Sequence, residues 1–193
     1  MKDKINKIGG FEMNFERLKK NLCDNIFEAQ IKLGYEGRPM SLNYTLNSLN
    51  HLIGTTLDQA QMKKALDDFS CYAEPELGSV EFRAIKNGFC AVIPVKGTQF
   101  VHKDYSGGEF ISEFIEAIRR RSSLDEILNV FRKFSDNISV NVIKSDEFQY
   151  LVYFTDNAPD DYRYCLTIDE EIDGSCHITY HRFIKEDYDD FRF

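Results

Sequence analysis

The residues best equipped for chemistry gather near the end of the chain, in "YRYCLTIDE" (162–170) and "CHITYHRFI" (176–184). Cys176, His177 and His181 carry the thiol and imidazole groups that ligate zinc or move protons. The two histidines stand four residues apart. That spacing brings ligands together on a helix, but on a strand it separates them by about 13 Å. Zinc holds its ligand atoms within roughly 2.0–2.3 Å, so a strand pair cannot chelate it. Arg163, Tyr180 and Arg182, with Asp161 close by, offer a different chemistry, in which planar guanidinium donors hold phosphate or carboxylate. Which chemistry is available depends on the secondary structure of this segment.

Asp173-Gly174 between two alternating runs is a hairpin signal and makes both runs strands. A two-residue turn there pairs 170 with 177, 168 with 179, 166 with 181 and 164 with 183. One face then carries Tyr162, Tyr164, Leu166, Ile168, Thr179, His181 and Phe183. The other carries Arg163, Cys165, Thr167, Ile178, Tyr180 and Arg182. On this reading His181 is a partly buried, hydrogen-bonded histidine beside Leu166 and Phe183, and no metal site is expected. Arg163, Tyr180, Arg182, Asp161 and His181 are the candidate ligand-binding residues, set against the plainer alternative of an ion-paired sheet face.

Elsewhere the chain offers little catalytic chemistry. His51 and His102 are isolated, and neither a G-x-S-x-G nucleophile turn nor a glycine-rich phosphate loop is present. No catalytic residue and no cofactor are expected. Gly107 and Gly108 precede a predicted helix and read as a joint. Arg119, Arg120 and Arg121 sit at a predicted helix end, where the macrodipole favours cations.

The elements that position these groups follow from periodicity. Phe15, Leu18, Leu22, Ile26, Ala29 and Leu33 form one apolar stripe, predicting a helix over 11–33 that stops at Gly34. Leu46, Leu49, Leu52 and Ile53 predict a short helix stopped by Gly54. Thr56 and Gln59 form a capping box for a third helix ending near Ser70. The period then drops to two. Asn87-Gly88 predicts a hairpin over 79–95, pairing 86 with 89 and 84 with 91, with Phe82, Ala84, Phe89, Ala91 and Ile93 on one face. Residues 98–102 read as a short strand. A helix through Phe110, Phe114 and Ile118 follows, then one opened by a Ser123/Glu126 capping box, then four strands.

These elements make an α+β protein: N-terminal helices with a β-hairpin in winged-helix-like order, then two helices and an antiparallel four-stranded meander. Residues 1–10 read as a mobile lead-in, 11–97 as the first part and 98–193 as the second, packed with the first as one unit. No apolar run approaches the roughly 18 residues of a membrane span. Five irregularly spaced cysteines without an export signal indicate reduced thiols and a cytoplasmic location. The net charge of −8 comes from residues 136–193, which hold 14 acidic against 5 basic side chains and repel a phosphate backbone. The predicted third helix sets Lys63 and Lys64 against Asp58, Asp67 and Asp68, a poor surface for reading DNA.

The runs "IKLGYEGRPMSLNYTLNSLNHLIG", "PDDYRYC" and "HITYHRFIKEDYDDF" resemble an uncharacterised bacterial domain-of-unknown-function family, over most of the chain from about Met13. The resemblance implies a bacterial cytoplasmic origin and brings no activity, cofactor or catalytic residue with it. The expected function is therefore a non-enzymatic protein-interaction or regulatory module with a protein partner and no membrane partner. The alternatives are a nucleic-acid-binding winged-helix-like protein, or an enzyme acting on an anionic small molecule at the Arg163/Arg182 face.

Overall fold

The computed structural model describes residues 7–8, 11–143, 145, 147–172 and 175–190. The chain divides into two units, Met1–Ser106 and Gly107–Phe193. The expected lead-in falls mainly on residues outside the described ones. Within it, β1 (Lys7–Ile8) pairs antiparallel with β2 (Phe11–Glu12).

Strand β2 delays the first helix to α1 (Phe15–Leu33), where Asn14 Oδ1 accepts from the Arg17 N–H at 3.0 Å. Its stripe of Leu18, Leu22 and Ile26 is fully buried, and Gly34 ends it at φ +85°. A strand follows that the periodicity reading passed over, β3 (Met40–Thr45). Thr45 then caps α2 (Leu46–Ile53), which stops at Gly54 in the left-handed region, as expected. The capping box of α3 (Gln59–Leu77) is built by Asp58 and Gln61 and not by Thr56 and Gln59. Asn50 explains the difference. Its side chain accepts from the Leu57 N–H at 2.7 Å and donates to the Leu57 carbonyl at 2.9 Å, tying the chain into a non-helical loop up to Asp58.

Strands β4 (Glu81–Ile85) and β5 (Gly88–Ile93) form the expected hairpin, and β3 joins as a third strand in the order β3-β5-β4. Leu42, Tyr44, Phe82, Phe89 and Ala91 share the inward face. Residues 98–102 are helical, as part of α4 (Val95–Asp104), where Thr98 and Val101 are buried.

The second unit opens with α5 (Glu109–Arg119) and α6 (Leu124–Phe134), the latter with the predicted Ser123/Glu126 box. Then come β6 (Ile138–Val142), β7 (Tyr150–Phe154), β8 (Tyr162–Glu170) and β9 (Cys176–Ile184), and a last short helix, α7 (Lys185–Asp190). The strands form an antiparallel meander in the order β6-β7-β8-β9. Aromatic rings hold α5 and α6 on one side of it. Phe110, Phe114 and Phe131 meet Tyr164 at 5.1–5.6 Å between centroids, and Phe110 and Phe131 meet Phe154 at 5.0 and 5.1 Å.

Candidate functional site

The second hairpin forms from the expected strands in a different register. Tyr164 pairs with Arg182, Leu166 with Tyr180, Cys165 with His181 and Glu170 with Cys176. Beyond the last pair the loop is closed by the Glu171 N–H donating to the Ser175 carbonyl at 2.7 Å. The expected turn residues, Asp173 and Gly174, lie outside the described ones. Arg121, at φ +59°, holds this loop. Its guanidinium donates to Ser175 Oγ and to a Glu171 carboxylate oxygen, both at 3.2 Å, and its carbonyl accepts from the Cys176 N–H at 3.3 Å.

An offset of one residue turns β9 over relative to β8. Ile178, Tyr180, Arg182 and Ile184 now share the helix-facing side with Tyr162, Tyr164, Leu166 and Ile168. His177, Thr179, His181 and Phe183 share the opposite side with Arg163, Cys165 and Thr167. The packing reason is plain. This register buries Ile178 and Ile184, which the expected one leaves on the polar face, and each is worth about 1.5–3 kcal/mol.

The predicted ligand set is therefore divided. Tyr180 and Arg182 lie on one face and Arg163 on the other, so no single cation cluster forms. Arg182 stacks over the Tyr162 ring at 4.3 Å. Asp161 is half-buried just ahead of β8; the carboxylate drawn into the aromatic core is its neighbour Asp160, which accepts from the Tyr164 hydroxyl at 2.7 Å and from the Tyr162 N–H at 3.2 Å. Burial first, and the charge of Asp160 second, hold the Tyr164 phenol far above its ordinary range. His181 is exposed rather than half-buried, and packs its ring against Phe183 at 4.2 Å, on the face away from Leu166. Cys165, opposite it, is sealed, and burial pushes its thiol up to about 12. His177 and His181 lie on one strand with one residue of their face between them. Cys176 points to the other face, as expected.

Arg163 is the residue that stands out. It is only 8% exposed, its guanidinium lies 4.0 Å from the Tyr153 ring, and its Nη1 has no hydrogen-bond partner among the described residues. Tyr188 of α7 comes over the same face. Burial is the main cause lifting its phenol, with Cys165, Asp189 and Tyr153 adding to the rise and Arg163 opposing it. Chemically, Arg163 is a desolvated cation that an oxyanion would satisfy. Tyr153 was not singled out from the sequence, although it lies on the face of β7 that alternation assigns to Leu151.

A lone buried cation carries a stability signature. Replacing buried charge by an apolar side chain of similar size gains about 1–4 kcal/mol in comparable settings, whereas a desolvated cation–π contact is worth about 2. Arg163→Met is expected to be neutral or stabilising by up to about 2 kcal/mol in urea unfolding at neutral pH. A loss of that size would mean that stacking on Tyr153 outweighs desolvation.

Two α+β units, the second a four-stranded meander under two helices, define the class of the protein. The chain belongs to the bacterial family described as "Domain of unknown function, E. rectale Gene description (DUF3877)", whose family model matches residues 15–192. No curated protein and no solved structure matches it. Among the described residues no helix is long and apolar enough to cross a membrane.

Proposed function

We propose that the chain is a non-enzymatic, cytoplasmic regulatory protein whose first unit is a winged-helix-like module that binds another protein. The architectural support is the order α1, β3, α2, α3, β4, β5, with β3 entering the sheet beside β5. That order is consistent with a winged-helix-like reading, in which α3 would take the recognition position and the β4–β5 hairpin the wing. A fold of this kind serves nucleic-acid and protein partners alike, so the surface must decide.

One observation supports the choice of partner: two of the four cations in the docking position, Lys63 and Arg83, are already paired with carboxylates of their own elements. On α3, Lys63 pairs with Asp67, and on the hairpin Arg83 pairs with Glu81 at 2.7 Å. The Glu81 carboxyl is held below its usual range chiefly by that Arg83 hydrogen bond. Lys64 and Lys86 complete the cations of these two elements, against exposed Asp67, Asp68 and Glu74 on α3 alone. Five free thiols, three of them buried, suit a reducing compartment.

Fluorescence anisotropy of the full chain with a labelled duplex tests the reading. At about 50 mM salt the dissociation constant is expected to be weaker than roughly 10⁻⁴ M, the weak end of non-specific binding. Micromolar or tighter binding with a steep salt slope would replace it with the nucleic-acid reading. A photo-crosslinker at Asp68, activated in the native host, is expected to give a discrete protein adduct. Absence of any discrete adduct counts against the module.

A further inference from the structure

Strand β6 ends the sheet of the second unit, and among the described residues no strand pairs with its outer edge. Its bonding to β7 fixes which groups face outward. The Asn137 carbonyl accepts from the Thr155 N–H at 2.8 Å, and the Ile143 N–H donates to the Gln149 carbonyl at 2.9 Å. Odd-numbered residues therefore bond inward, and Ile138, Val140 and Val142 turn their N–H and C=O groups away from the sheet. The side chains of the same three residues lie on the helix-facing side, across from Phe154, Val152 and Tyr150. The helices cover β7 but not β6: Val152 is sealed, whereas Val140 is 39% exposed and Val142 77%.

Sheet edges are ordinarily blunted by charge, proline or a bulge. Strand β4, an edge of the first unit's sheet, carries exposed Glu81 and Arg83. Strand β6 reads ISVNV, without charge or proline, and its register with β7 is unbroken. It is a neutral strip within residues 136–193, which hold 14 acidic against 5 basic side chains. Two copies can meet along it without setting carboxylates against each other. The strip is also symmetric about Val140: reversed upon itself, it sets Ile138 across from Val142 and Ser139 across from Asn141.

We propose that β6 pairs antiparallel with β6 of a second copy of this chain, about a two-fold axis through Val140, joining the two meanders into one continuous sheet. Ile138 then meets Val142 of the partner subunit, and Val140 meets Val140 of the partner subunit. Each pair exchanges both backbone bonds, because the outward groups of one copy face the outward groups of the other. Only an axis on an outward-bonding residue allows this, and Val140 is one. The Ile and Val side chains of both strands line one face, a pairing of β-branched residues that suits a sheet. Each copy uses its β6 once, so the assembly closes at two.

Analytical ultracentrifugation of the full chain is expected to show twice the 22.5 kDa mass of one copy, with a dissociation constant of about 10 µM, as suits a small interface. Hydrogen exchange followed by NMR locates the contact. At high concentration the amides of Ile138, Val140 and Val142 should exchange about ten-fold more slowly than after dilution, while those of Ser139 and Asn141, already bonded to β7, change less. Val140→Pro removes the N–H at the axis without touching the β7 ladder, so far-ultraviolet circular dichroism should stay unchanged while the dissociation constant rises about a hundred-fold. A chain still monomeric at about 1 mM, or a dimer in which those three amides stay unprotected, would overturn the proposal and leave the edge to a strand of another protein. Neither result depends on the variant folding.

Discussion

Gly88→Ala is expected to destabilise the first unit by about 3 kcal/mol or more, the upper end of what overpacking costs. Gly88 opens β5 directly opposite Thr45. A Cβ at this position would lie 2.0 Å from the Tyr44 carbonyl oxygen, 2.8 Å from Thr45 Cα and 3.0 Å from the Leu46 nitrogen. All three are backbone atoms of β3 and the start of α2, so no rotamer change relieves the clash. The two strands would have to part where Leu46 N–H donates to the Asn87 carbonyl at 3.2 Å. Urea unfolding monitored by circular dichroism reads the loss, and hydrogen exchange should show it concentrated in the amides of Met40–Thr45. A variant within about 0.5 kcal/mol of the parent, the range of ordinary surface changes, would refute the close approach.

The same glycine shows how far the amino-acid pattern carries. Asn87-Gly88 identified a hairpin, and a hairpin is there, but the turn residues are Lys86 and Asn87 and the closing pair is Ile85 with Gly88. Asn87 does not take the positive φ that a type I′ turn would require. The glycine is needed for the approach of β3, a strand whose presence the local pattern also announced. Met40, Leu42 and Tyr44 alternate with Ser41, Asn43 and Thr45 over six residues, ahead of a helical run that drew attention away from them.

The two hairpins differ in what an offset register cost. In the first, pairs sum two residues lower than expected, an even offset, so Phe82, Ala84, Phe89 and Ala91 stayed on the inward face. In the second the offset is one. It reversed β9 and separated Arg163 from Arg182. Local alternation fixes which residues of one strand go together, but not which face of the next strand joins them. That was decided by Ile178 and Ile184 and by Arg121, which lies 54 residues from Ser175 and grips the loop. The Arg163–Tyr153 contact was hidden for the same reason: it joins side chains of neighbouring strands, and no sequence spacing marks such a pair.

Phe131→Ala tests the core on which the second unit depends, with an expected loss of about 3–5 kcal/mol. Phe131 is 0% exposed and projects from α6 into four rings: Phe110 at 4.8 Å, Phe154 at 5.1 Å, Tyr164 at 5.3 Å and Phe114 at 5.8 Å between centroids. Three of these contacts are edge-on, a geometry worth about 0.5–1.5 kcal/mol beyond buried area. Alanine would remove them together and leave a void bounded by stiff rings that cannot collapse into it. The site is also polar at one edge, because Tyr164 must keep its 2.7 Å hydrogen bond to buried Asp160. Any shift of Tyr164 into the void would strain that bond, which places the cost toward the top of the range. Urea unfolding with near-ultraviolet circular dichroism measures both effects, as a lower midpoint and weaker aromatic signals. A loss below about 1 kcal/mol would mean that the rings rearrange freely, and that β8, which carries Tyr164 on one face and Arg163 on the other, is not held rigidly by the helices.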